Sequence, residues 1–297
     1  MSDLSALPVP ATASTDELRS IVADWRRAGL RIGFVPTMGA LHEGHLSLIR
    51  MAHENADKVV ASIFVNPTQF APHEDFDAYP RTLDEDAAKL ANAKCDLLYA
   101  PLASEMYPEG FSARLTVEGP ARGLESDFRP HFFGGVAIVV AKLFNRVQPD
   151  IAVFGEKDYQ QLLVIRQMVR DLDLPIGIIP GPTLRERDGL ALSSRNAYLS
   201  THERDVSAGL NVILKDFASD LSAGTDWETA QGKALAKTAS AFDRVDYIEA
   251  RCAETLAPLP AGPVRQPARV LAAVWLGKTR LIDNLPVEQA LPGADFE

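Results

Sequence analysis

A chain of 297 residues, 46% hydrophobic and 24% charged, has ordinary globular composition and is long enough for one large domain or two smaller ones. Its net charge of −10 and pI near 5.2 argue against non-specific nucleic-acid binding, so a few well-placed groups must hold any anionic substrate. Cys95 and Cys252 are too few and too far apart for a disulfide framework or a zinc knuckle, and read as reduced, buried thiols of a cytoplasmic protein. The opening "MSDLSALPVPATAST" lacks the basic and apolar segments of a secretory signal, and its first dozen residues read as a flexible lead-in. No apolar run reaches the ~20 residues of a membrane span.

In chain order, "STDELRSIVADWRRAG" predicts a helix, "RIGFVPTM" a strand, "HEGHLSLIRMAHENA" a helix and "VVASIFVN" a strand. "LDEDAAKLANA" reads as a helix, "CDLLYAP" as a strand, "GGVAIVVAKLFNRVQ" as a helix and "IAVFGE" as a strand. "DYQQLLVIRQMVRDL" and "PIGIIPG" add one helix and one strand. Short β-branched runs between amphipathic segments predict a Rossmann-like, doubly wound parallel α/β sheet up to about Leu184. Beyond Arg187 the pattern changes. "THERDVSAGLNVILKDFASDL" and "WETAQGKALAKTASAF" are helical; "VDYIEARCA" and "ARVLAAVWLGKTRLIDN" are strands, with "LGKT" as a hairpin turn. The expected division is therefore 1–186 for the Rossmann-like sheet domain and 187–297 for a smaller α+β domain, with "RERDGLALSSRN" at the join.

Between the first long strand and its helix stands "PTMGALHEGHLSLIR". Four readings compete for His42 and His45: a metal site, a phosphate site, a catalytic pair or an ordinary polar turn. The zinc-protease pattern needs two histidines four residues apart on one helix, whereas these are three apart with no third ligand nearby. A phosphate site explains more. Gly39 lets the backbone approach a ligand, and the helix beginning near Glu43 aims unpaired N–H groups and its positive dipole end at the same place. Neither a Walker A loop nor a dinucleotide fingerprint is present.

Three further stretches lie at strand ends or at the join, where open α/β sheets bind ligands. "FVNPTQF" offers the amides of Asn66 and Gln69, which orient a neutral or carboxylate-bearing substrate. "FGEKDYQQL" sets Gly155, Lys157 and Asp158 together, and reads equally as a capped helix start. "LSSRN" joins two hydroxyls to a guanidinium, which suits phosphate oxygens but also an ordinary capped loop.

On these stretches, with "YPRT", "HFFGGVAIVVAKLFN", "DYIEA" and "TRLIDN", the chain resembles the pantothenate synthetase (pantoate–β-alanine ligase) family of the HIGH-type nucleotidyl-transferase superfamily, over nearly all of its length after residue 15. That resemblance implies an AMP-forming ligase of coenzyme A biosynthesis. Pantoate would attack the α-phosphorus of ATP, and β-alanine would then displace AMP from pantoyl adenylate. It implies an ATP site at Pro36, Thr37, Met38, Gly39, Ala40, Leu41, His42, Glu43, Gly44 and His45, continued by Gly155, Glu156, Lys157, Asp158 and Leu184 and by Leu192, Ser193, Ser194 and Arg195. His42, His45, Lys157 and Arg195 would carry the chemistry, with His45 at the position usually assigned as proton donor. Gln69, Gln161 and Asn66 would bind substrate. Mg2+ would ride on ATP, with Asp86 either a partner to the ion or part of a solvated acidic helix face. His131 would shape the pantoate side or be structural. A cytoplasmic homodimer with no nucleic-acid or membrane partner is also implied, as is closure of the 185–196 segment over ATP.

Two departures stand near the expected pantoate pocket: Thr68, where many relatives have methionine, and the run Phe133-Gly134-Gly135. Two alternatives remain at this point. A nucleotidyltransferase that leaves the nucleotide on its product is disfavoured by the amides of Gln69 and Gln161. A non-catalytic nucleotide-binding module is disfavoured because His42, His45, Lys157 and Arg195 are all present.

Overall fold

The structure, a computed structural model, describes residues 4–288 apart from 72, 73 and 75. In chain order its elements are β1 (Ala11–Thr12), α1 (Thr15–Arg27), β2 (Ile32–Thr37), α2 (Glu43–Asn55), β3 (Lys58–Ile63), α3 (Leu83–Asn92), β4 (Leu97–Tyr99), α4 (Ala103–Met106) and α5 (Glu125–Phe128). There follow α6 (Phe132–Val147), β5 (Ile151–Gly155), α7 (Tyr159–Asp171), β6 (Gly177–Gly181), α8 (Thr201–Ser207), α9 (Gly209–Ser222), α10 (Trp227–Ala241), β7 (Arg244–Cys252), β8 (Ala268–Leu276) and β9 (Thr279–Val287).

Strands β1 to β6 form one parallel sheet in the order β1-β4-β3-β2-β5-β6. Its central strands are apolar on both faces because helices cover both. Phe34, Val60 and Ala152 face a core shared with α1, α6 and α7; Val35, Ala61 and Val153 face one shared with α2 and α3. From β2 the chain winds outward through β3 to β4, then returns to place β5 on the other side of β2. This reversal opens a crevice at the carboxyl ends of β2 and β5, the place where such sheets bind ligands. The segments after those two strands are "HEGH" and "EKD".

Three expectations need correction. The first dozen residues are not a free lead-in. Ala11–Thr12 pairs with β4, Leu98 N–H donates to the Pro10 carbonyl at 2.8 Å, and Val9 is buried; residues 1–3 of the expected lead-in lie outside the described residues. The single helix expected from Thr201 breaks at Ala208–Gly209 into α8 and α9. Cys95 is buried and unpaired, and burial pushes its thiol up to about 12, but Cys252, also unpaired, is only partly covered.

Strands β7 to β9 form a separate antiparallel sheet in that order, with β8 and β9 joined through Gly277-Lys278. Its period of two assigns each face a task. Val270, Ala272 and Val274 pack on α9 and α10 with Leu214, Phe217 and Ala234. Leu271, between them, belongs to the first domain's core, and Tyr247 packs against that same core. The small sheet therefore reaches across to the large one.

Candidate active site

The reversal point opens into a cleft of about 1380 Å³ between the two sheets. Its first wall is the turn before α2. His42 is the N-cap of α2: its Nδ1 accepts the Gly44 N–H at 3.2 Å, while His45 Nδ1 accepts the His42 N–H at 3.3 Å. The three-residue spacing that fails for zinc is the spacing of a reciprocal helix cap. Gly44 is required here, because a Cβ would meet the His42 ring at 2.9 Å. With both Nδ1 atoms accepting, each ring carries its proton on Nε2 as a donor. The ring centroids lie 4.1 Å apart. Burial, then the Lys157 cation, lowers His42 to about 4; burial, then His42 and Lys157, lowers His45 to about 3. Both imidazoles are neutral donors at physiological pH.

What fixes this turn is Asp86, for which the sequence allows either an ion partner or a solvated acidic face. It is neither exposed nor free. Fully buried on α3, its carboxylate accepts the Ala40 N–H at 2.8 Å, the Leu41 N–H at 2.7 Å and the Thr82 hydroxyl at 3.1 Å. Lys89, one turn on, donates to the Leu41 carbonyl at 2.8 Å. Gly39 (φ 87°) and Ala40 (φ 50°) both hold left-handed backbone, which costs a non-glycine residue about 1–2 kcal/mol. The Asp86 carboxylate holds that conformation in place.

The second wall carries the amides. Asn66 is buried, and both of its polar groups are engaged within the protein. Its Oδ1 accepts the Thr68 N–H, the Thr68 hydroxyl at 2.9 Å and the Tyr107 hydroxyl at 2.8 Å. Its Nδ2 donates to Gly135 O and to Gln69 Oε1, both at 3.1 Å. The geometry makes Asn66 an orienter of Gln69, whose Nε2 is left facing Met38 Sδ at 3.1 Å and the cleft. Both departures noted in the sequence meet here. Thr68 joins the Asn66–Tyr107 knot, and Gly135 lets α6 touch the turn, since a Cβ there would lie 2.3 Å from Thr68 O. Gln161 lines the same cleft and makes no side-chain hydrogen bond with the described residues.

The remaining predicted residues come from two further segments. Gly155, Lys157 and Asp158 line the cleft beyond β5, and Leu184, Leu192, Ser193, Ser194 and Arg195 line it from the interdomain segment. Ser193 Oγ caps the Arg195 N–H at 3.3 Å, and Ser194 Oγ meets the Tyr79 hydroxyl at 3.4 Å. Pro36, Thr37 and Met38 line the cleft, whereas Gly39, Ala40 and Leu41 stand behind it. Glu43 turns outward to pair with Arg50, and Glu156 pairs with Arg269 at 3.4 Å. His131 is exposed at the start of α6 and does not line the cleft, which corrects the expectation that it shapes the substrate side.

Several contributors were not singled out from sequence. Arg129 donates to the Gln69 carbonyl at 3.1 Å and pairs with Glu74 and with Glu125. Glu125 also receives Arg280 of β9 at 2.8 Å, and Arg280 pairs with Asp246 of β7 at 2.7 Å. Arg185 and Asp283 form a two-bond pair at 2.7 and 2.8 Å. "TRLIDN" was visible as a motif, but its reach to the cleft was not. No group of three metal-ligating side chains gathers among the described residues, and no described helix is long and apolar enough to cross a membrane.

Comparison with known proteins shows the family. The family model described as pantoate-beta-alanine ligase matches residues 11–286. The pantothenate synthetase of Maricaulis maris is 62% identical over 277 residues, 93% of this chain and 96% of the relative. That of Mesorhizobium japonicum is 59% identical over 93% of this chain and 97% of its own length. Among solved structures, the pantothenate synthetase of Thermus thermophilus superposes with a TM-score of 0.86 at 46% identity, over 94% of this chain and 99% of that one. The pantoate-beta-alanine ligase of Francisella tularensis, complexed with beta-gamma ATP and beta-alanine, superposes with a TM-score of 0.78 at 34% identity, over 95% and 99%.

Proposed function

The chain belongs to the pantoate-beta-alanine ligase family and is a ligase, and from that premise we propose that it condenses pantoate with β-alanine through pantoyl adenylate, consuming ATP and releasing AMP and pyrophosphate. The observation that carries this reading is the convergence of two neutral imidazoles, one ammonium and the Ser193–Arg195 segment on a single cleft beside the Gln69 amide.

In the first step a pantoate carboxylate oxygen bonds to the α-phosphorus, and the bond to the bridging oxygen of pyrophosphate breaks. Charge moves onto the leaving phosphates. The Nε2–H groups of His42 and His45 and the ammonium of Lys157 would receive it, with Arg195, Ser193 and Ser194 closing from the other side. Gln69 and Gln161 would orient pantoate, and the Asn66 bond fixes Gln69 so that it offers N–H donors. In the second step the neutral amine of β-alanine bonds to the acyl carbon, the carbon–oxygen bond to AMP breaks, and the nitrogen sheds a proton. Little covalent chemistry falls to the protein; positioning and charge neutralisation do the work.

Mg2+ enters as part of the ATP substrate. The described residues offer it no cage, and both Asp86 oxygens already accept backbone N–H groups. An ion carried on phosphate oxygens fits this donor set. The division at 186/187, a homodimeric state and a cytoplasmic location belong to the same reading. The test is direct: pyrophosphate should form from ATP only when pantoate is present, and AMP and pantothenate only when β-alanine is added as well. With pantoate and β-alanine both present, a final product that retains the nucleotide, with no AMP released, would refute the proposal.

A further inference from the structure

We propose that Asn284, on β9 of the small sheet, is a positioning residue for Lys157. The inference rests on the reading that the Lys157 ammonium neutralises phosphate charge. Lys157 sits in the single turn Glu156–Asp158, which has no side-chain cap at its start. Its ammonium makes no ion pair or hydrogen bond with any described residue, so its aim depends on the backbone beneath it.

That backbone is held from the other domain. Asn284 Nδ2 donates to the Glu156 carbonyl at 3.0 Å and to the Lys157 carbonyl at 2.8 Å. One amide thus spends both protons on two successive peptide groups and fixes their planes. The orientation of the amide is not arbitrary, because its Oδ1 accepts Nε of Arg269 from β8. Arg269 in turn lies over the Tyr159 ring at 3.8 Å and pairs with Glu156 at 3.4 Å. Asn284 is only 3% exposed, so bulk water does not compete for these bonds in the native fold. The residue before it, Asp283, holds Arg185 at the base of the segment that leads to Ser193–Arg195. Successive residues of β9 therefore reach two different segments of the cleft. Docking of the small sheet and placement of the lysine are one event in this architecture.

Three variants test the idea: Lys157→Ala, Asn284→Ala and the double variant. Each is assayed for AMP formation from ATP, pantoate and β-alanine, with melting temperature followed in parallel. A displaced charge should cost Asn284→Ala ~10-fold or more in rate, and removing the charge should cost Lys157→Ala ~100-fold. If Asn284 acts through Lys157, the double variant falls no more than ~2-fold below Lys157→Ala. Losses that multiply would show an independent, structural role and overturn the proposal. So would an Asn284→Ala enzyme at full rate. A Lys157→Ala enzyme at full rate would instead reject the phosphate role of the lysine, and this inference with it. Should Asn284→Ala fail to fold, Asn284→Ser, too short to reach both carbonyls, takes its place in the same cycle.

Discussion

Asp86→Asn isolates the contribution of a single oxygen to the turn that carries His42. In the native chain the two carboxylate oxygens accept the N–H groups of Ala40 and Leu41 at 2.8 and 2.7 Å. Hydrogen bonds to a charged group contribute roughly 1.5–3 kcal/mol each. Asparagine keeps one acceptor and turns an NH2 toward the other backbone N–H, so one bond is lost and two donors face each other. The expected destabilisation is about 2–4 kcal/mol. Ala40 at φ 50° then loses part of what holds its left-handed backbone, and the turn carrying His42 relaxes. A displacement of about 1 Å in a catalytic group costs up to ~100-fold in rate, and a loss of ~10–100-fold in AMP formation is expected. Urea unfolding and steady-state turnover at saturating Mg2+ give the two readouts. An unchanged midpoint together with an unchanged rate would refute the clamp. An unchanged midpoint with a raised Mg2+ requirement would return Asp86 to the role of ion partner.

Gly135→Ala forces a Cβ to within 2.3 Å of Thr68 O, so α6 and the Gln69 turn must separate. The expected cost is about 1–3 kcal/mol of stability, with a rise in KM for pantoate and little change in KM for ATP; equal rises in both would contradict the assignment of this wall. His45→Ala should lower turnover at least ~100-fold, as loss of a transition-state donor does, while circular dichroism stays native; near-normal turnover would reject its role. The two imidazoles also make a pH prediction. An unfolded histidine takes up its proton near pH 6.5, but His42 and His45 stay neutral in the fold until about 4 and about 3. The unfolded chain therefore binds more protons in that window, and their contribution to stability is full above pH 6.5 and lost as pH falls toward 4. The His42→Gln/His45→Gln variant should show a flatter fall in urea midpoint between pH 7 and 5; an identical fall would place the titration elsewhere. Finally, ATP with pantoate should protect the 185–196 segment from proteolysis, and unchanged cleavage would remove the support for closure.

The alternation of apolar strands and amphipathic helices made the parallel sheet legible, because a buried parallel strand must be apolar on both faces and its crossover helix on one. "HEGH", "GEKD" and "SSRN" stood out because polar and glycine residues at strand ends have few reasons to be there other than turning or binding. Periodicity could not show β1, two residues long, whose pairing partner lies some 87 positions away at Leu98 (98 − 11). Nor could it separate α8 from α9 across an unbroken helical pattern.

By itself, then, the chain determined the order of its layers and the kinds of group available for chemistry, since both depend on local pattern and residue type. Which polar residues support that chemistry was decided by tertiary structure alone. Asp86 has the local sequence of a solvated helix and the environment of a buried clamp. His131 has a suggestive neighbourhood and an exposed side chain, while Arg129, two residues earlier, holds the Gln69 turn. Asn284 sits in a strand of the small sheet and ties down a turn 127 residues earlier in the chain. Hydrogen-bond partners depend on where the backbone brings distant segments together, and residue spacing along the chain does not encode that.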